Sequence, residues 1–224
     1  MAGAGCRSQC RHKLRLYVVL LLLALFVVPV CDAGPDRLRA SVRPLQADIF
    51  TELSPEVPDR ARICTTTSIN TRLGLWLTAA HCIQHGNVFI DDHATTTVFA
   101  EDRADLAVLH TPTLHHIPAL KLAVEAPALD MPVFMLGYPL GFPSPQFFKG
   151  YVSSLDTHVW ASGQDYGHKM MFDMAVCGGN SGSAVVNAKD EIVSVMQIGP
   201  GNPCAPISGG ATWEAMEQLR KYFE

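Results

Sequence analysis

The apolar residues of this chain come in runs too short and too β-branched for helices, and that limits the folds open to it. "ICTTTSI" (63–69), "LGLWLTAA" (73–80), "NVFI" (87–90), "TTTVFA" (95–100) and "DLAVLH" (105–110) are rich in Thr, Val, Ile and Phe and are bounded by turn formers. A second group follows: "VFMLGY" (133–138), "KGYVSSL" (149–155), "KMMFDM" (169–174), "GSAVVNA" (182–188) and "EIVSVMQIG" (191–199). Only the last segment, 211–224, changes period. Trp213, Met216, Leu219 and Phe223 recur at three to four residues, with Arg220 and Lys221 in the final turn, which predicts one closing helix. Strands in two groups, without βαβ alternation, predict an all-β fold of paired antiparallel barrels or a sandwich, and periodicity alone leaves both open. "AVEAPALDMP" (123–132), with two prolines, reads as the linker between lobes at 63–122 and 133–210, and 34–62 as an extended lead-in that packs on the lobes.

The N-terminus reads as a targeting segment. Arg7, Arg11, Lys13 and Arg15 precede an apolar run at 16–30, and "CDAG" offers small residues for cleavage before Gly34. The run holds Pro29 and falls short of the roughly 20 residues that span a bilayer. The expectation is a signal peptide at 1–33 and a secreted or periplasmic product; the alternative is a membrane anchor through 16–30. Cleavage removes those four basic residues and one acid, Asp32, from a chain of net charge −4, leaving it more acidic. The basic footprint of a nucleic-acid binder is absent. Cleavage also removes Cys6, Cys10 and Cys31, so Cys64, Cys82, Cys177 and Cys204 remain. Four cysteines in an oxidising compartment predict two disulfides, for which three pairings exist. A structural zinc site is the weaker reading, because the mature chain has no C-x2-C pair.

Chemistry concentrates in three places. "LTAAHC" puts His81 just past an apolar strand, where a rigid strand end positions a general base. Asp105 heads the buried run "DLAVLH", so its carboxylate needs a partner, and an imidazole N–H would supply one. Asp91, Asp92 and Asp102 compete for that role but do not lead into a buried run. "CGGNSGS" (177–183) is too rich in glycine for a helix or strand interior. It suits a loop that presents Ser181 as a nucleophile and the bare N–H groups of Gly179 and Ser181 to a developing oxyanion. An α/β-hydrolase elbow is excluded, because Ser183 stands where G-x-S-x-G needs its second glycine and the chain order is His, Asp, Ser.

"TAAHC", "DLAVL" and "GNSGS", in that order, resemble the signatures of the trypsin-like, or chymotrypsin-fold, serine peptidases, over roughly residue 63 to the C-terminus. "MLGYPLG" and "KGYVSS" look like the small bacterial and viral members. The resemblance implies two six-stranded antiparallel β-barrels with a C-terminal helix. It implies a serine endopeptidase acting on polypeptides through an acyl-enzyme, with Ser181 as nucleophile, His81 as base and then acid, and Asp105 orienting the imidazole. A binding module that has lost activity, or an esterase with the same three residues, are the alternatives. The family pattern also implies disulfides Cys64–Cys82 and Cys177–Cys204, and a specificity pocket with Ala175 at its base and Ser194, Val195 and Met196 along one wall. An uncharged base favours apolar or small side chains, whereas His168 facing the pocket would favour acidic ones. Asn180 departs from the pattern: activated digestive members carry an aspartate there, so that activation switch is expected to be missing. No cofactor and no metal are implied. H-E-x-x-H is absent, and His85, His115 and His116 read as solvated loop residues. The membrane enters only through an uncleaved N-terminal segment.

Overall fold

Period-two burial on two packed faces explains why the apolar runs are continuous rather than alternating. The computed structural model describes residues 34–51, 54–84, 86–161, 163–199 and 204–224. The expected export segment at 1–33 and His85 lie outside them.

Seven strands form the first sheet: β1 (Val42–Thr51), β2 (Ser54–Asn70), β3 (Leu75–Thr78), β4 (Val88–Ile90), β5 (His93–Ala94), β6 (Thr96–Glu101) and β7 (Leu106–His110). They run in the order β5-β4-β1-β2-β3-β7-β6, every pair antiparallel. β8 (Lys121–Leu122), β9 (Pro132–Gly137), β10 (Gln146–Ala161), β11 (Gln164–Phe172), β12 (Val176–Cys177), β13 (Ala184–Val186), β14 (Glu191–Ile198), β15 (Cys204–Ala205) and β16 (Ser208–Gly210) follow. The second sheet takes the order β13-β9-β10-β11-β16-β14-β8, and β13 also pairs with β14. That extra pairing closes a ring of six strands. The dipeptide β8 adds to β14 in parallel, and β12 and β15 form a separate ladder.

Three cores follow from this layering. Leu45, Trp76, Leu109 and Ile90 fill the inside of the first sheet. Val133, Met135, Met170, Phe172 and Met196 fill the closed ring. Leu75, Leu77, Val108, Leu136, Val186 and Val195 join the two sheets. Thus Leu75 and Leu77 of β3 face the second sheet while Trp76 between them faces the first core, and all three are buried. β14 also serves both cores, but across a register shift: Ile192 and Val195 lie between the sheets, Val193 and Met196 in the ring.

The all-β, two-barrel expectation holds, with two refinements. The six longer strands of the first sheet curl without closing: no ladder joins its edges β5 and β6 among the described residues. β5 has only two residues, both exposed, and offers too little backbone to reach across. The lead-in boundary also needs correction. Residues 34–62 contain helix α1 (Gly34–Ser41), all of β1 and half of β2, and β1 lies inside the sheet between β4 and β2. Pro44, Pro55 and Pro58 disguise these strands as irregular chain. At the other end, the closing helix is one short α2 (Trp213–Glu217), capped by the Thr212 hydroxyl, followed by a single 3-10 turn at Arg220–Tyr222. Segment 123–132 contains no strand apart from the first residue of β9.

Candidate active site

His81 sits in a 3-10 turn (Ala80–Ile83) at the end of β3. Its neighbours Ala80 and Cys82 are buried, and Cys82 is disulfide-bonded to Cys64 of β2, which fixes the turn against the sheet. The second disulfide, Cys177–Cys204, lies across the β12–β15 ladder beside the serine loop. Both pairings are those implied by the family resemblance.

Asp105 closes the turn between β6 and β7 with φ of 55°, a left-handed conformation that aspartate tolerates better than most residues. This aims its carboxylate back at the His81 turn. Oδ2 lies 2.8 Å from His81 Nδ1, and Oδ1 accepts the His81 backbone N–H at 2.8 Å. Both carboxylate oxygens are therefore held, one on the ring and one on the backbone that carries it. Two of the competing carboxylates are engaged elsewhere, Asp91 with Arg43 and Asp92 with Arg60; the third, Asp102, stands in the same turn, where its backbone O accepts the Asp105 N–H.

The serine loop is anchored to the first sheet by Thr65, a fully buried residue of β2. The Thr65 N–H donates to Ser181 O at 2.8 Å, and its hydroxyl donates to Gly179 O at 2.8 Å. The same hydroxyl accepts the Tyr138 N–H, while Thr65 O accepts the Thr78 hydroxyl. Gly179 and Gly182 have φ of 96° and 82°. A Cβ on Gly182 would collide with Thr78 Oγ1 and Thr65 O, and one on Gly179 with Tyr138 O, so both positions require glycine. Of the loop amides, Asn180 N–H donates to Cys177 O and Gly182 N–H to Met196 O. Those of Gly179 and Ser181 donate to nothing among the described residues. The Ser181 hydroxyl lies 3.5 Å from Gln197 O, at the outer limit of a hydrogen bond. Asn180 is fully buried with Ser183 against Gly137, and neither side chain has a hydrogen-bond partner among the described residues.

A cavity of about 1090 Å³ opens beside His81 and Asp105, and Gln197, Ile198, His168 and Lys169 also line it. The residues expected along a pocket wall lie elsewhere than this cavity. Ser194, Val195 and Met196 are buried: the Ser194 hydroxyl donates to Ala211 O, Val195 packs between the sheets and Met196 inside the ring. β14 is covered on both faces up to Met196, and only its end, Gln197 and Ile198, reaches the cavity. Ala175 is exposed but does not line this cavity. His168 is at the cavity rim, its Nδ1 2.7 Å from Asp156 Oδ1. His115 and His116 are exposed, as expected. Among the described residues one trio has metal-ligand proximity, Cys64, His81 and Cys82, and its two sulfurs are joined in the disulfide.

Sequence reasoning missed three residues of this site: Thr65, Lys169 and Gln197. Thr65 had a legible sign, since a run of three threonines inside a strand with both faces buried demands partners for its hydroxyls. Gln197 and Lys169 look like ordinary strand polars, and only the pairing of sheets shows them to be buried.

An open β sheet and a closed six-stranded ring, with an imidazole–carboxylate pair on one and a glycine-rich serine loop on the other, define the chymotrypsin-like class of folds. The chain belongs to the trypsin-like peptidase domain family, whose profile matches residues 64–195 and so spans His81, Asp105 and Ser181. Among solved structures it is similar to Rv3671c from M. tuberculosis H37Rv, determined as an inactive serine-to-alanine mutant. The two share 17% identity and a TM-score of 0.63, over 87% of this chain and 94% of that one. No curated protein sequence matches the chain.

Proposed function

We infer that the protein is an exported serine endopeptidase in which Ser181 attacks the peptide carbonyl. His81 takes the hydroxyl proton and later gives it to the leaving amine. Asp105 holds the Nδ1–H tautomer and stabilises the imidazolium. The amides of Gly179 and Ser181 receive the oxyanion, a contribution worth about 10²- to 10³-fold in rate per donor. The observation that carries this reading is the two-point grip of Asp105 on His81, which leaves Nε2 as the ring nitrogen available for proton transfer. Two unused loop amides beside the serine support it. Polypeptide is the substrate class that the family favours, and the disulfides suit an oxidising compartment such as the periplasm or cell exterior.

The test is hydrolysis of casein and of a short acyl ester by the mature protein and its Ser181→Ala variant. Peptide-bond cleavage by the wild type alone is expected. Cleavage of the ester but not of casein would replace the endopeptidase with an esterase, and no turnover of either would favour a binding module.

A further inference from the structure

Lys169 of β11 is only 2% exposed, and among the described residues its ammonium makes one hydrogen bond, to Gln197 Oε1 at 2.6 Å. Gln197, 3% exposed, spends the other end of its carboxamide on the first sheet. Its Nε2 donates to Ala104 O at 2.7 Å and to Asp105 O at 2.8 Å. The two ends of a glutamine amide have nearly the same shape, so hydrogen bonding alone decides which way it points. Flipped, it would set an amide against the ammonium and an oxygen against two carbonyls. Lys169 therefore permits one orientation, the one that grips the turn in which Asp105 is held at φ of 55°.

We propose that Lys169 is a positioning residue for the His81–Asp105 pair, acting through Gln197 to hold the Asp105 turn in place. This rests on the catalytic reading of His81 given above. A buried ammonium without a carboxylate in direct contact is expensive, and a hydrophobic residue of that size would satisfy packing alone. Burial pushes its pKa down, and the nearby carboxylates of Asp105 and Glu101 pull it back up. Glu101 is itself occupied by the N–H groups of Arg103 and Ala104. The carbonyl of Gln197 faces the Ser181 hydroxyl, so one side chain and its own backbone reach both halves of the site.

The experiment compares the wild-type mature protein with Lys169→Met and Gln197→Glu. The glutamate still meets Lys169 but has no N–H for the two carbonyls. Proton NMR at acid pH reads the low-field Nδ1–H between His81 and Asp105, assigned by its loss in His81→Ala. Both variants are expected to shift that resonance upfield or lose it, and to lower kcat at least tenfold with KM within about twofold. If Lys169→Met does not fold, Gln197→Glu carries the comparison. A wild-type resonance position and a kcat within twofold in either folded variant would overturn the proposal. Failure of the wild type to cleave peptides would overturn the peptidase reading instead, and the resonance would still report whether Lys169 positions the pair.

Discussion

Asp105 shows how one backbone angle decides the chemistry. Its left-handed φ turns the carboxylate toward the His81 loop, where it meets both the ring and the main chain. Asp105→Asn retains the shape but offers an N–H₂ where an acceptor is needed, which favours the wrong imidazole tautomer. A fall in kcat of about 10⁴-fold is expected, with the melting temperature little changed. Peptide hydrolysis and thermal unfolding of the same preparation check it. Gly182 is the opposite case, a position where shape alone matters. Gly182→Ala forces a Cβ onto Thr78 and Thr65 at a φ alanine avoids, and should cost at least about 1–3 kcal/mol in urea unfolding. A variant as stable as the wild type would mean that the loop does not have this conformation.

At the scale of elements, the Cys64–Cys82 disulfide ties β2 to the turn carrying His81, and its removal tests how far the sheet holds that turn unaided. In the chain-entropy model a loop of this size is worth about 3 kcal/mol. The double variant Cys64→Ala, Cys82→Ala is expected to lose about that much stability by chemical denaturation. Most strands, and the residues meeting at the His81 turn, were legible because they announce themselves locally: a buried apolar run, a carboxylate leading into it, a glycine loop. β1 and the first half of β2 were not, because prolines and charges broke the pattern while their pairing with each other, and that of β1 with β4, kept the strands. That Gln197 and Ile198, and not Ser194, Val195 or Met196, reach the cavity was not legible either, since sequence does not reveal where a strand covered on both faces emerges. Gln197 and Lys169 were hidden for the same reason, their meaning residing in a contact between strands 28 positions apart.

For the molecule as a whole, burying Lys169 leaves a signature in the pH dependence of stability. Its folded pKa lies below the ordinary 10.5, so between those two values the unfolded chain binds a proton that the native state has released. Stability from this group therefore rises with pH up to 10.5. Tyr138 works the other way: burial raises its folded pKa above 10.0, so the native state keeps a proton the unfolded chain sheds, and stability falls as pH climbs past that value. Subtracting Lys169→Met from the wild type in urea unfolding isolates the lysine. The difference should move in favour of the wild type as pH rises toward 10.5, and a flat difference would mean that the ammonium is not desolvated.

The proposed function rests on one arrangement, a serine from the closed ring made nucleophilic by an imidazole from the open sheet. Mass spectrometry after treatment with a fluorophosphonate, in which the serine oxygen displaces fluoride from phosphorus, tests it most directly. The account predicts one adduct, on the peptide containing Ser181, absent from Ser181→Ala and formed far more slowly in His81→Ala. Modification of another residue, or equal labelling of wild type and Ser181→Ala, would contradict it.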